Sequence, residues 1–194
     1  MTRLNELLGT EFPIVQGGMA NIATAEFAAA VSNAGALGLI GGGGMDAAGF
    51  RESIRRCRTL TDRPFGVNIM LMHPQAEEMA DIAAEERVAV ITTGAGNPAR
   101  FIPRWKESGA KVFPVVAAVA LARLVERAGA DGVIAEGTES GGMWGSSPPW
   151  LWSRRFATRW ASRWWPPEAS RTPVSSWRPM LWEPAAPRWA PACW

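Results

Sequence analysis

Short apolar runs alternate with amphipathic stretches through the first 142 residues. The runs are Pro13–Gln16, Ala36–Ile40, Phe65–Ile69, Val88–Thr92, Lys111–Val116 and Asp131–Glu136. Continuous apolar runs of this length suit strands buried on both faces of a parallel sheet. Between them the pattern predicts helices. Ala25–Asn33 puts Phe27, Ala30, Val31 and Ala34 on one stripe, with Gly35 as a left-handed stop. Asp46 is placed to cap a helix carrying Phe50, Ile54 and Cys57. Gln75–Arg87 carries Met79, Ile82 and Ala83, and Pro98 is placed to start a helix carrying Phe101, Ile102 and Trp105. Ala118–Ala128 carries Leu121, Leu124 and Val125 and ends at Gly129.

With Ile14, Leu37, Gly66, Ala89, Val112 and Gly132 as markers, successive units are 23, 29, 23, 23 and 20 residues apart. Six such units predict an α/β fold, an incomplete (β/α)8 barrel interrupted after its sixth unit. A doubly wound open sheet is the alternative. The period carries no repeated sequence, which argues against a solenoid.

Composition divides the 194-residue chain in two. Ten of the 11 Trp lie from Trp144 onward, all 20 Gly lie at or before Gly145, and nine of 15 Pro fall from Pro148 onward. The last 52 residues hold seven Arg and two Glu, so residues 1–142 carry a net −3 within a total of +2. The expected organisation is therefore a partial βα barrel over 1–142 and an irregular Trp/Pro/Arg-rich tail over 143–194. The balanced charge gives no support for a nucleic-acid partner. No apolar run reaches membrane-spanning length, and the charged N-terminus shows no secretory leader. Cys57 and Cys193 are too few for a disulfide scaffold or a thiolate zinc site, so no metal is expected. The expectation is a cytoplasmic protein with no membrane partner.

Candidate chemistry collects where the strands end. The five junctions are Gln16-Gly17-Gly18-Met19, Gly41–Gly44, Asn68-Ile69-Met70, Thr92–Asn97, and Glu136 leading to Glu139-Ser140-Gly141-Gly142. In a barrel these meet on one rim, where active sites are built. Glycine lets a flat ring or a phosphate approach the backbone, and Asn and Thr supply donors and acceptors for a heterocycle edge. Gly41–Gly44 is neither a dinucleotide fingerprint nor a phosphate-binding loop. His73, the single His, reads as a solvated loop residue rather than a triad member. Glu77-Glu78 and Glu85-Glu86 read as solvated helix faces. Glu136 closes an apolar strand, and its carboxylate either meets a ligand hydroxyl or simply ends the strand.

Four segments together resemble the FMN-dependent enoyl-acyl-carrier-protein reductases, close relatives of the nitronate monooxygenases. They are Phe12–Met19, Pro64–Leu71, Thr92–Pro98 and Ile134–Gly142. The resemblance runs through residues 4–142, and the Asn68-Ile69-Met70-Leu71 segment favours the reductase branch. It implies a barrel with FMN on its rim, reduced by NADH or NADPH, with the flavin giving hydride to an enoyl thioester on a small molecule or acyl carrier protein, as in fatty acid biosynthesis. For the monooxygenases it implies oxidation of alkyl nitronates by flavin and oxygen. A non-catalytic flavin- or acyl-binding fragment is the remaining alternative, and a homodimer is compatible with the family. By carry-over, Gln16, Gly17, Gly18, Met19, Asn68, Thr93, Gly94 and Glu136 contact the flavin, and Gly141 and Gly142 edge the substrate. The family follows that Gly-Gly with a catalytic His. Here the position is Met143, which cannot transfer a proton.

The family's two later phosphate loops are also missing, and the codons of Trp and Met suggest why. When the tail is slid by one base, Met143-Trp144 forces Val, Trp144-Gly145 forces Gly, and the codon before them permits His. Trp160-Ala161 forces Gly, Trp164-Trp165 forces Val, and Trp165-Pro166 forces Ala, after which Ala-Gly-Gly is permitted. Met180–Pro184 permits Ala-Leu-Gly-Ala, and Arg188–Ala192 permits Met-Gly-Thr-Arg, each with a forced Gly. The tail thus reads as an out-of-frame translation of the rest of the barrel, and the chain as written is expected to be unstable and nearly inactive. A functional Trp/Arg tail for a membrane interface or a stacking groove is the rival. It is disfavoured by the absence of a sustained Trp period and by nine interrupting Pro.

Overall fold

The sheet grows by adding each new strand beside the last. The computed structural model describes residues 4–136, and those up to Ala135 form one compact unit. Helix α1 (Leu4–Leu8) and helix α2 (Ala25–Asn33) precede strand β1 (Gly38–Gly41). Then come α3 (Ala47–Leu60), β2 (Phe65–Met70), α4 (Ala76–Glu85), β3 (Val90–Gly94), α5 (Ile102–Glu107), β4 (Lys111–Val116), α6 (Val119–Arg127) and β5 (Ile134–Ala135). The five strands are parallel in the order β1-β2-β3-β4-β5. A doubly wound sheet reverses its strand order at a switch point. No reversal occurs among these five.

The first expected strand, Pro13–Gln16, is reduced to a single parallel bridge, Val15 to Leu37. Leu37 N donates to Ile14 O at 2.9 Å and Gln16 N donates to Leu37 O at 2.9 Å. At the next rung the ladder stops, because Leu39 N donates to the Gln16 side-chain Oε1 at 2.9 Å instead of to backbone. Five strands and one bridge therefore stand where six strands were expected. The last, expected over Asp131–Glu136, is paired only at Ile134 and Ala135. Its entry is pinned by Asp131, whose Oδ2 accepts from Val112 N at 2.8 Å and from Lys106 Nζ at 2.6 Å.

One sheet face carries an apolar cluster of Leu37, Leu39, Val90 and Phe113, closed by Leu8 from α1. The other face packs against helices. Asp46 caps α3 through Gly49 N at 2.8 Å, and Phe50, Ile54 and Cys57 are buried at i, i+4 and i+7 spacing as the periodicity predicts. Burial pushes the Cys57 thiol up to about 11, which keeps it protonated and inert at neutral pH. Trp105 is fully buried, stacks on Phe101 at 5.5 Å and donates to Ala80 O at 2.9 Å. Its helix begins at Ile102, after a turn from Pro98 to Phe101. Gly35 and Gly129 take positive φ, as helix stops require.

Three expectations on helix faces are corrected. α2 buries Ala25, Ala28, Ala29 and Ser32, while Phe27 is 40% exposed. A Cβ on Gly38 would sit 1.9 Å from Ala28 O, so the helix backbone lies against the strand and only small residues fit between. On α6, Ala122 and Val125 are buried and Leu124 is exposed. Glu86 is no solvated face. Its carboxylate meets Arg55 Nε at 2.9 Å, Arg58 Nη1 at 2.7 Å and Arg51 Nη1 at 3.3 Å. Burial pushes its pKa up, but hydrogen bonds and charge from Arg58 and Arg55 outweigh this and hold it below the ordinary carboxylate value.

A depressed carboxylate stabilises the fold above its unfolded pKa of about 4.3, and the gain fades as pH falls through the lowered folded value. Glu86→Gln is therefore expected to cost about 1–2 kcal/mol at pH 7. In thermal melts across pH, the gap to the parent should close below about pH 4. A gap that persists unchanged into acid would contradict the assignment.

Candidate functional site

The register places small and polar residues directly above the apolar layer. Leu39, Gly66 and Val90 share one rung, and Gly41, Asn68 and Thr92 share the rung two residues on. Side chains two apart point to the same face. The face that holds Leu39 and Val90 thus continues upward as glycine, amide and hydroxyl. Met70 and Gly94 form the next rung.

Four of the five expected junctions meet there. A Cβ on Gly18 would lie 2.3 Å from Asn68 Cβ, and one on Gly41 would lie 2.7 Å from Met19 O. The Gln16–Met19 turn is therefore pressed against the ends of β1 and β2, and both close approaches require glycine. Gly42 lies against Asn68 O, and Gly43 against the Met70 side chain. β2 and β3 are stitched above their last rung by Leu71 N donating to Gly94 O at 2.9 Å. Gly17 and Gly94 differ from these. A Cβ on either meets nothing within 4 Å. They border open space rather than neighbouring chain.

Above Gly94 the backbone turns sharply. Ala95 holds φ +54, a left-handed conformation that costs a non-glycine residue about 1–2 kcal/mol. Strain of this kind concentrates at ligand clamps. Asn21, at φ +63, presses on Gly44, where a Cβ would stand 2.2 Å from its Oδ1.

Asn68 and Thr92 are joined: Thr92 Oγ1 donates to Asn68 Oδ1 at 2.8 Å. Thr93 alternates to the helix-covered face, where its hydroxyl is buried without a hydrogen-bond partner among the described residues. Only its backbone lies with the junction. The Thr92–Asn68 bond and the Asn21–Gly44 contact were not foreseen. The first could have been read from equal heights of Asn68 and Thr92 in neighbouring strands; the second has no local signal. His73 closes the turn before α4, its Nδ1 accepting from Gln75 N at 3.1 Å. Glu136 directly follows β5 in the chain. Gly141, Gly142 and Met143 lie outside the described residues, as does the whole of 143–194.

Among the described residues no group of His, Cys, Asp and Glu could hold a metal ion, and no helix is long and apolar enough to cross a membrane. A surface groove lined by Ala47, Arg51, Arg55, Glu78 and Ile82 belongs to α3 and α4 and lies outside the junctions.

Known proteins share this fold. The structure of FabK from Thermotoga maritima superposes with a TM-score of 0.78 at 50% identity, over 81% of this chain and 51% of that one. A nitroalkane oxidase from Streptomyces ansochromogenes superposes at 0.65 and 31% identity, over 73% of this chain and 50% of that one. A Mycobacterium tuberculosis (3aS,4S,5R,7aS)-5-hydroxy-7a-methyl-1-oxo-octahydro-1H-indene-4-carboxyl-CoA dehydrogenase is 38% identical over 144 residues, 74% of this chain and 41% of its own length. A nitronate monooxygenase from Paraburkholderia phytofirmans is 32% identical over 78% of this chain and 52% of its own. The chain thus spans about half the length of the relatives it matches. The nitronate monooxygenase family matches residues 1–154, and this chain belongs to that family of FMN-dependent oxidoreductases.

Proposed function

We propose that the intact gene product is an FMN-dependent reductase of the enoyl-acyl-carrier-protein type, drawing on NADH or NADPH. The observation that carries this reading is the 50% identity to FabK, against 32% to the Paraburkholderia nitronate monooxygenase. The carboxyl-CoA named as substrate of the 38% relative supports a thioester class. The five-stranded arc is then part of an incomplete (β/α)8 barrel, and residues 143–194 are an out-of-frame continuation of it.

The residues fit an isoalloxazine. Gly17 and Gly94 leave free the space a Cβ would fill, so a planar ring can lie on bare backbone. Asn68 offers an amide to the ring edge, the Leu37–Leu39–Val90 layer below gives a dry floor, and Phe113 flanks Thr92 on the amide's own rung. Gln16, Gly18 and Met19 shape the neighbouring wall and Thr93 contributes through backbone; the family resemblance assigns Glu136 to the flavin, and Gly141 and Gly142, outside the described residues, to the substrate. Bound FMN would supply hydride transfer. Met143 cannot move a proton to the reacting substrate where the family has His. Phosphate in this fold sits on the loops after strands seven and eight, so the chain as written should hold the ring without a seat for the phosphate.

A nitronate-oxidising enzyme is the second reading, favoured by the family match over 1–154. Restoring the frame at codon 143 and assaying the product separates the two. Enoyl-thioester-dependent oxidation of NADH or NADPH supports the reductase, whereas oxygen uptake with alkyl nitronates and no enoyl turnover would reverse the order. Resequencing the DNA across codons 137–145 tests the frame itself; an uninterrupted frame matching these residues would remove the tail argument.

The open space at Gly17 and Gly94 yields a test on the chain as it stands. Gly94→Ala and Gly17→Ala should each leave stability within about 0.5 kcal/mol. Each should nevertheless weaken riboflavin binding about tenfold or more, read by quenching of flavin fluorescence. Unchanged binding in both variants would place the ring elsewhere.

A further inference from the structure

We propose that Thr92 is a positioning residue that fixes Asn68 as a hydrogen-bond donor toward the ligand. The inference rests on the flavin reading above and adds which way the amide faces. An amide side chain is symmetrical in shape but not in chemistry: one end only accepts, the other only donates. Which end meets the ligand depends on what holds the other. Thr92 Oγ1 lies 2.8 Å from Asn68 Oδ1 and 3.3 Å from Val67 O. A hydroxyl has one proton to give, and the shorter contact takes it. Thr92 is 2% exposed, so water does not compete for that hydroxyl.

With Oδ1 committed, Nδ2 is left to donate. It lies beside Gly18, where an added Cβ would come within 2.9 Å of it. The adjacent Gly17 borders open space. Among the described residues, Asn68 Oδ1 accepts from Thr92 while Nδ2 carries no hydrogen bond. A half-buried amide donor without a partner, facing a glycine-lined opening, suits an acceptor atom on the edge of a heterocycle. Thr92 itself need not touch the ligand. Its hydroxyl holds the amide against rotation, so the donor is in place before binding and no ordering is lost on association.

The test uses the full chain and riboflavin, which needs no phosphate seat. Thr92→Val removes the hydroxyl at constant shape, Thr92→Ser restores it, and Asn68→Asp replaces the donor with a second acceptor. Loss of one net hydrogen bond corresponds to about a tenfold change in affinity. Thr92→Val should lose about that much and alter the bound-flavin absorption spectrum. Thr92→Ser should stay within about twofold of the parent, with the parent's spectrum. Asn68→Asp should lose at least as much as Thr92→Val. A folded Thr92→Val with parental affinity and spectrum overturns the proposal, and so does Asn68→Asp with parental affinity if Thr92→Val does not fold. Failure of the parent chain to bind riboflavin overturns the flavin reading first, and this inference with it.

Discussion

The parallel register between β2 and β3 is the constraint on which the site depends. Leu39 and Val90 must be buried, and with Leu37, Phe113 and Leu8 they form one apolar cluster on that face of the sheet. Because side chains alternate with a period of two, that requirement also decides the next rung. Gly41, Asn68 and Thr92 are turned to the same face as the apolar floor. A slip of one residue in β2 would send Asn68 under the helices, and a slip of one residue in β3 would bring Thr93 inward. The apolar layer thus holds the polar layer in place, and the hydrophobic driving force fixes the geometry of a hydrogen bond it takes no part in.

Two kinds of glycine serve this arrangement. Gly18, Gly38 and Gly41 are spaces already filled by neighbours, where a side chain would strike Asn68, the Ala28 carbonyl or the Met19 carbonyl. They bring the Gln16–Met19 turn and α2 close to the sheet. Gly17 and Gly94 are spaces left open. The first kind is structural and the second is where a ligand could come. Composition cannot tell them apart, since both appear as glycine in or beside a strand.

Elements with a strong local pattern were legible in the chain. α3 follows from Asp46 as cap and Phe50, Ile54 and Cys57 at helical spacing, and the structure keeps each of those roles. α2 was placed correctly but turned wrongly, because an apolar stripe predicts the buried face only when nothing across from it demands closeness. Gly38 demands it, and Phe27 is pushed outward. The first strand shrank to a bridge because the Gln16 side chain took a rung that backbone would otherwise hold. Glu86 looked solvated because its three arginines lie 28–35 residues earlier, on α3.

By itself, the sequence determined the alternation of helices and strands from α2 onward, the gathering of glycine and amide at strand ends, and membership of a flavin-enzyme family. These depend on local periodicity and on short motifs, which a linear chain carries intact. Only the tertiary structure decided which threonine shares a rung with Asn68, which glycines are filled or open, and which carboxylate is enclosed by arginines. Each of those depends on the height of one strand or helix against another, and that height is set by how apolar layers pack rather than by any residue's neighbours in the chain.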